Sequence, residues 1–161
     1  MRLILLHGFL MNGAAIRRQW GRIARELEQE VQVLAPDAPL TPPAEVVQRS
    51  YASWGVKPIA GPHRAWWRAT EDESSYEGWE RSHEQLMALV NQGPYAIAGF
   101  SQGAAAAALV CAWARLGQMR TPEFAVFVGG FVPRAVAFSK LFEEPLGISS
   151  IHVSGAADII V

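Results

Sequence analysis

The chain has a single cysteine, Cys111, so no disulfide can close within it and a packed core must hold it together. An excess of one charge is also missing. Fourteen Lys and Arg stand against fifteen Asp and Glu, a formal net charge of -1, which builds no field for a polyanion and argues against nucleic acid as a partner. Long hydrophobic runs are absent too. The longest, Ala104 to Ala114, has eleven residues, short of the roughly 18 that span a bilayer. The four apolar residues Leu3 to Leu6 ahead of His7 are too few for a secretory h-region. No internal repeat stands out. These absences point to a cytoplasmic protein without a membrane span. What is present, 161 residues with 50% apolar and 18% charged, suits one globular domain over residues 1–161.

Five short apolar runs predict strands: Leu3 to Leu6, Val31 to Ala35, Tyr95 to Phe100, Phe124 to Val128 and Ile148 to Val153. Ile16, Trp20, Ile23 and Leu27 recur at helical spacing and predict an amphipathic helix with these four on its core face. Trp79, His83, Leu86, Met87 and Val90 mark a second helix that ends at Gly93-Pro94. A third runs from Gln102 to Leu116, rich in alanine, the best helix former, and stops at Gly117. Alternating strands and helices imply a doubly wound, mostly parallel sheet in a three-layer α/β fold. Residues 39–78 show no clear period, carry five of the ten prolines and include Trp54, Trp66 and Trp67. So much aromatic surface predicts an ordered, lid-like insertion rather than a linker.

Gly99-Phe100-Ser101-Gln102-Gly103 matches G-x-S-x-G after a predicted strand and before a predicted helix, where a tight turn pushes a serine hydroxyl outward. The pattern alone would arise by accident in about 5% of chains this long; its place between strand and helix carries the weight. The competing reading is a glycine turn with a serine N-cap. His7-Gly8-Phe9-Leu10 follows the first strand. Acyl transfer needs two backbone N–H donors at the developing oxyanion, and Phe9 and Gln102 are the expected pair. His7 is expected to tie down its loop by hydrogen bonding rather than to act as a base. With the strands lettered a to e, the common doubly wound order is b-a-c-d-e, and its crevice lies between the ends of a and c. Both motifs fall there.

Asp158, 57 residues beyond Ser101 and just after the last strand, stands where the order Ser, Asp, His places the residue that orients an imidazole. Asp37 is expected to be a structural loop carboxylate. No histidine follows Asp158. His83 fits a partly buried helix face, His152 a strand, and His63 lies in the insertion. The expectation is therefore that these residues form the N-terminal portion of a longer polypeptide, lacking its last strand, helix and catalytic histidine segment.

With these residues in hand, the chain resembles the FSH family of serine hydrolases, an α/β-hydrolase group. The resemblance rests on Leu6-His7-Gly8-Phe9-Leu10, Asn12-Gly13, Asp37-Ala38-Pro39, Arg64-Ala65-Trp66-Trp67, Gly93-Pro94-Tyr95, Gly99 to Ala104 and Gly155-Ala156-Ala157-Asp158. It implies a serine hydrolase without metal or cofactor, cleaving small-molecule carboxylic esters, with thioesters as a second class. Ser101 would be the nucleophile and Asp158 the acid, with Phe9 and Gln102 as the oxyanion hole. His7, Leu10, Trp66 and Phe131 are expected against the substrate, with packing as the competing reading for each. The alternatives are an acyl-protein thioesterase or carboxylesterase of the Phe-Ser-Gln-Gly type, or a truncated hydrolase fold that binds a ligand or partner without turnover.

Overall fold

A strand covered on both faces needs apolar side chains at successive positions rather than at alternate ones. Arg2–Leu6 and Tyr95–Phe100 at the centre of the sheet are used that way. The runs at its edges are not: Gln32–Leu34 buries only Val33, and the last strand, Ser150–Val153, lies exposed at all four residues. The structure, a computed structural model, describes residues 1–156. In chain order its elements are β1 (Arg2–Leu6), α1 (Gly13–Leu27), β2 (Gln32–Leu34), α2 (Ala44–Trp54), β3 (Arg68–Ala69), β4 (Tyr76–Glu77), α3 (Trp79–Val90), β5 (Tyr95–Phe100), α4 (Gln102–Arg115), β6 (Ala125–Val128), a 3₁₀-helix (Val136–Phe142) and β7 (Ser150–Val153). The main sheet has the order β2-β1-β5-β6-β7 with every pair parallel, the b-a-c-d-e order expected.

The sheet separates two apolar clusters. Leu3 and Leu5 of β1 and Ala96 and Ala98 of β5 face α1 through Ile16, while Ile4, Leu6, Tyr95 and Ile97 face α3 and α4. This is the period-two alternation of a strand, with helices on both sides. Fully burying a side chain such as Leu6 or Ile97 contributes about 1.5–3 kcal/mol. Helix α4 is buried nearly all round, from Gln102 to Ala114, and its alanines let it lie close to the sheet.

Two expectations need correction. In α1, Gly21 takes φ 43 and ψ -109, outside the helical region, and kinks the helix. The face drawn through Ile16 and Trp20 does not continue past it: Ile23 is 58% and Leu27 36% exposed, while Ala24 is buried instead. The insertion is also more regular than expected. Helix α2 starts after Pro43 and ends at Gly55 in the left-handed conformation, φ 66, and β3 and β4 form an antiparallel hairpin. Trp66 and Trp67 belong to the same core cluster as β1, β5 and α4. Trp67 stacks on Tyr76 with ring centroids 4.6 Å apart. Among the described residues no helix is long and apolar enough to cross a membrane.

Candidate active site

The register Leu6 with Gly99 sets the carboxyl ends of β1 and β5 side by side, and everything of interest leaves from there. Ser101 continues the ladder, its N–H donating to Val128 O at 2.9 Å, and its carbonyl begins α4 by accepting from Ala104 N at 2.9 Å and Ala105 N at 3.1 Å. Between these bonds the backbone must turn sharply, and Ser101 takes φ 51, ψ -119, a conformation that L side chains rarely adopt. Its side chain makes no capping bond to the helix. The serine N-cap reading therefore fails, and the hydroxyl lines a cavity instead.

Glycines make this junction possible. A Cβ on Gly99 would stand 2.2 Å from Gly103 O, and one on Gly103 would stand 2.1 Å from Leu6 O. The loop after β1 is closely packed too, though less severely, since a Cβ on Gly8 would meet the Phe100 ring at 3.0 Å. Among the described residues the backbone N–H groups of Phe9 and Gln102 have no acceptor.

Bonds from elsewhere hold that loop. The His7 ring is fully buried; its Nδ1 lies 2.9 Å from Gly8 O, and Ala38 N donates to Nε2 at 2.9 Å. A carbonyl only accepts, so Nδ1 carries the proton and the ring is neutral. Burial, the largest influence, pushes its pKa below the usual histidine value. Asn12 caps α1 through Ala15 N at 2.8 Å and reaches the insertion through Pro62 O at 2.9 Å. Asp37 accepts from Gly13 N at 2.7 Å. Arg64 donates to Thr41 Oγ1 at 2.8 Å and lies 3.9 Å from the Asp37 carboxylate.

The cavity at Ser101 has a volume of about 710 Å³. Phe9, Ser101 and Gln102 line it together with Val46 and Trp54 of α2, Trp67 and Tyr76 of the hairpin region, and Phe131 beyond β6. Its rim carries the ion pairs Arg68–Glu77 and Arg134–Glu73, the latter at 2.7 Å. Phe131 also lines a second cavity of about 340 Å³, with Ala104, Phe127, Leu146 and His152.

The expected substrate residues divide. Phe131 lines the Ser101 cavity, but His7, Leu10 and Trp66 do not: each is fully buried. The reason is hydrogen bonding. Trp66 Nε1 donates to His7 O at 2.8 Å, so the indole braces the loop from beneath. No histidine lines the Ser101 cavity either. His63 bonds to Leu10 O, His83 packs between Trp79 and Trp113, and His152 lies over Phe127 and against Ser150 Oγ. Asp158 lies outside the described residues. One contact the sequence did not suggest is the Gln102 amide, which accepts from Trp66 N at 2.9 Å and donates to Trp67 O at 2.9 Å. No periodicity signals so long-range a pairing.

A family model described as serine hydrolase (FSH1) matches residues 1–161. The chain belongs to this family. Among relatives of this FSH1-family chain, human Esterase OVCA2 is 30% identical over 178 residues, covering all of this chain and 78% of that protein. The bovine protein of the same name is 31% identical over 181 residues, again covering all of this chain and 78% of the relative. Of the solved structures, Zea mays acyl-protein thioesterase 2 superposes with a TM-score of 0.65 at 20% identity, over 99% of this chain and 72% of that one. The FSH1-family chain thus has the α/β-hydrolase fold.

Proposed function

We propose that this chain hydrolyses carboxylic esters through an acyl-enzyme on Ser101. The observation that carries the reading is the Ser101 turn, φ 51 and ψ -119, with a hydroxyl uncommitted to the helix and lining the 710 Å³ cavity. Its oxygen attacks the acyl carbonyl, and the Phe9 and Gln102 N–H groups, free of other acceptors, stabilise the oxyanion that forms. The alcohol leaves, and water then releases the acid from Ser101. The serine proton needs an imidazole, a role assigned to none of the four histidines, and Asp158 is the carboxylate assigned to orient it. Thioesters share this acyl chemistry and form the second class to test. The reading takes residues 1–161 as one catalytic domain whose insertion, about 39–78, supplies a wall of the substrate cavity. The one thiol, Cys111, is buried and unpaired, which suits a cytoplasmic location.

The test is fluorophosphonate labelling of the natural polypeptide with intact mass and peptide mapping, beside hydrolysis of p-nitrophenyl butyrate. Label on Ser101 and loss of hydrolysis in Ser101→Ala are expected. Turnover retained in that variant would refute the reading, and absence of label in the parent would mark a fold that binds without catalysis.

A further inference from the structure

Leu10 is one of few residues here other than glycine with positive φ, at 61°. It occupies the third place of a turn closed by Met11 N–H on Gly8 O at 3.1 Å, a place where the left-handed conformation usually calls for glycine or asparagine. A leucine there costs free energy, so the turn needs outside support. That support comes from the insertion. Leu10 N donates to Arg64 O at 2.9 Å and Arg64 N donates to Met11 O at 2.9 Å. The Leu10 carbonyl is held by side chains alone: His63 Nδ1 lies 3.0 Å away and Tyr51 OH 3.4 Å. Only a protonated Nδ1 can face a carbonyl, so His63 is a donor at this position.

We propose that His63 is a positioning residue for ester hydrolysis: by donating to Leu10 O it holds the strained turn and thereby the preceding Phe9, whose N–H faces the oxyanion. The inference rests on the function proposed above. His63 does not line the Ser101 cavity, so it acts on the turn and leaves substrate binding alone. Relaxation of Leu10 toward ordinary negative φ would rotate the Phe9–Leu10 peptide and carry Phe9 out of line. Removing an oxyanion donor outright costs 10² to 10³ in kcat, and loosening one costs less.

The experiment compares kcat and KM of the natural polypeptide and three variants with p-nitrophenyl butyrate, well below their melting temperatures. His63→Ala should lower kcat roughly ten-fold with KM within about two-fold. His63→Phe keeps a ring beside Tyr51, now at 5.4 Å between centroids, but has no donor, and should match the alanine variant. His63→Asn places an amide N–H near the position of Nδ1 and should restore most of kcat. Unchanged kcat in the alanine and phenylalanine variants overturns the proposal, as does activity in His63→Phe with none in His63→Asn, which marks ring packing. Hydrolysis surviving in Ser101→Ala overturns the underlying function instead, and this proposal with it.

Discussion

Replacing Gly103 with alanine adds one methyl group at the closest approach of α4 to the sheet. The new Cβ would stand 2.1 Å from Leu6 O, 2.5 Å from Leu6 C and 2.6 Å from His7 O. All three are backbone atoms, and Leu6 is fixed by its pairing with β5, so no side chain can swing aside. Since contacts under 3.0 Å essentially never occur, helix and strand must part by about 0.9 Å. Alanine's better helix propensity contributes about 1 kcal/mol in favour. Forced overpacking costs roughly 1–3 kcal/mol and occasionally more, so the steric effect wins. The net loss, up to about 2 kcal/mol, lowers the melting temperature by as much as roughly 8 °C for a domain of this size. Activity suffers more. Ser101 and Gln102 ride on the helix end and Phe9 on the strand end, and a misplacement of about 1 Å can cost 10²-fold in rate. Tryptophan-monitored unfolding and the second-order rate of fluorophosphonate labelling measure the two effects separately. A variant that labels within about three-fold of the parent, at an unchanged midpoint, would refute the reasoning.

Ser101→Gly should abolish hydrolysis and raise the melting temperature by up to roughly 10 °C, because relief of backbone strain on the order of 1–3 kcal/mol outweighs the roughly 0.5–1 kcal/mol entropic cost of glycine; a lower midpoint would count against strain at this residue. Buried His7 stays neutral in the fold, while the unfolded chain takes up a proton near the ordinary value of 6.5. Stability should therefore fall as pH drops below 6.5, by up to about 1.4 kcal/mol per unit, until the depressed native pKa is reached. Denaturant titrations at pH 7.5 and 5 should show a smaller drop in His7→Gln, and equal drops would contradict the assignment. Burial pushes the Cys111 thiol up to about 12, so a disulfide reagent at pH 8 should leave the native chain untouched and find one thiol after denaturation. Fast native reaction would place Cys111 elsewhere than in the core.

Much of the layout was legible because a parallel sheet writes itself as short, continuous apolar runs, and all five became strands in the anticipated order. Ser101 was legible because a strand, a tight turn and a helix each leave local marks around Gly99 and Gly103. Local marks also explain the failures. The apolar period of α1 runs on across Gly21 in the sequence, but the backbone breaks there. Helix α2 went unseen because it buries only Tyr51, leaving almost no apolar stripe to count, although Pro43 and Gly55 bracket it. The buried place of Trp66 is not legible either, because composition reports aromatic surface without saying which way it faces. The His63 contact joins residues 53 positions apart, a distance over which no pattern in the chain carries information.

The amide of Gln102 meets Trp66 N and Trp67 O much as a neighbouring strand would, riveting the middle of the insertion to the residue that follows Ser101. For loop grafting this divides the segment into unequal parts. A cassette exchanged between Pro43 and Gly55 that keeps Tyr51, whose hydroxyl reaches Leu10 O, would renew the wall formed by Val46 and Trp54 and leave the rivet in place. A cassette that ran on through Trp67 would remove part of the core along with the wall, and tuning of substrate range belongs in the first of these two stretches.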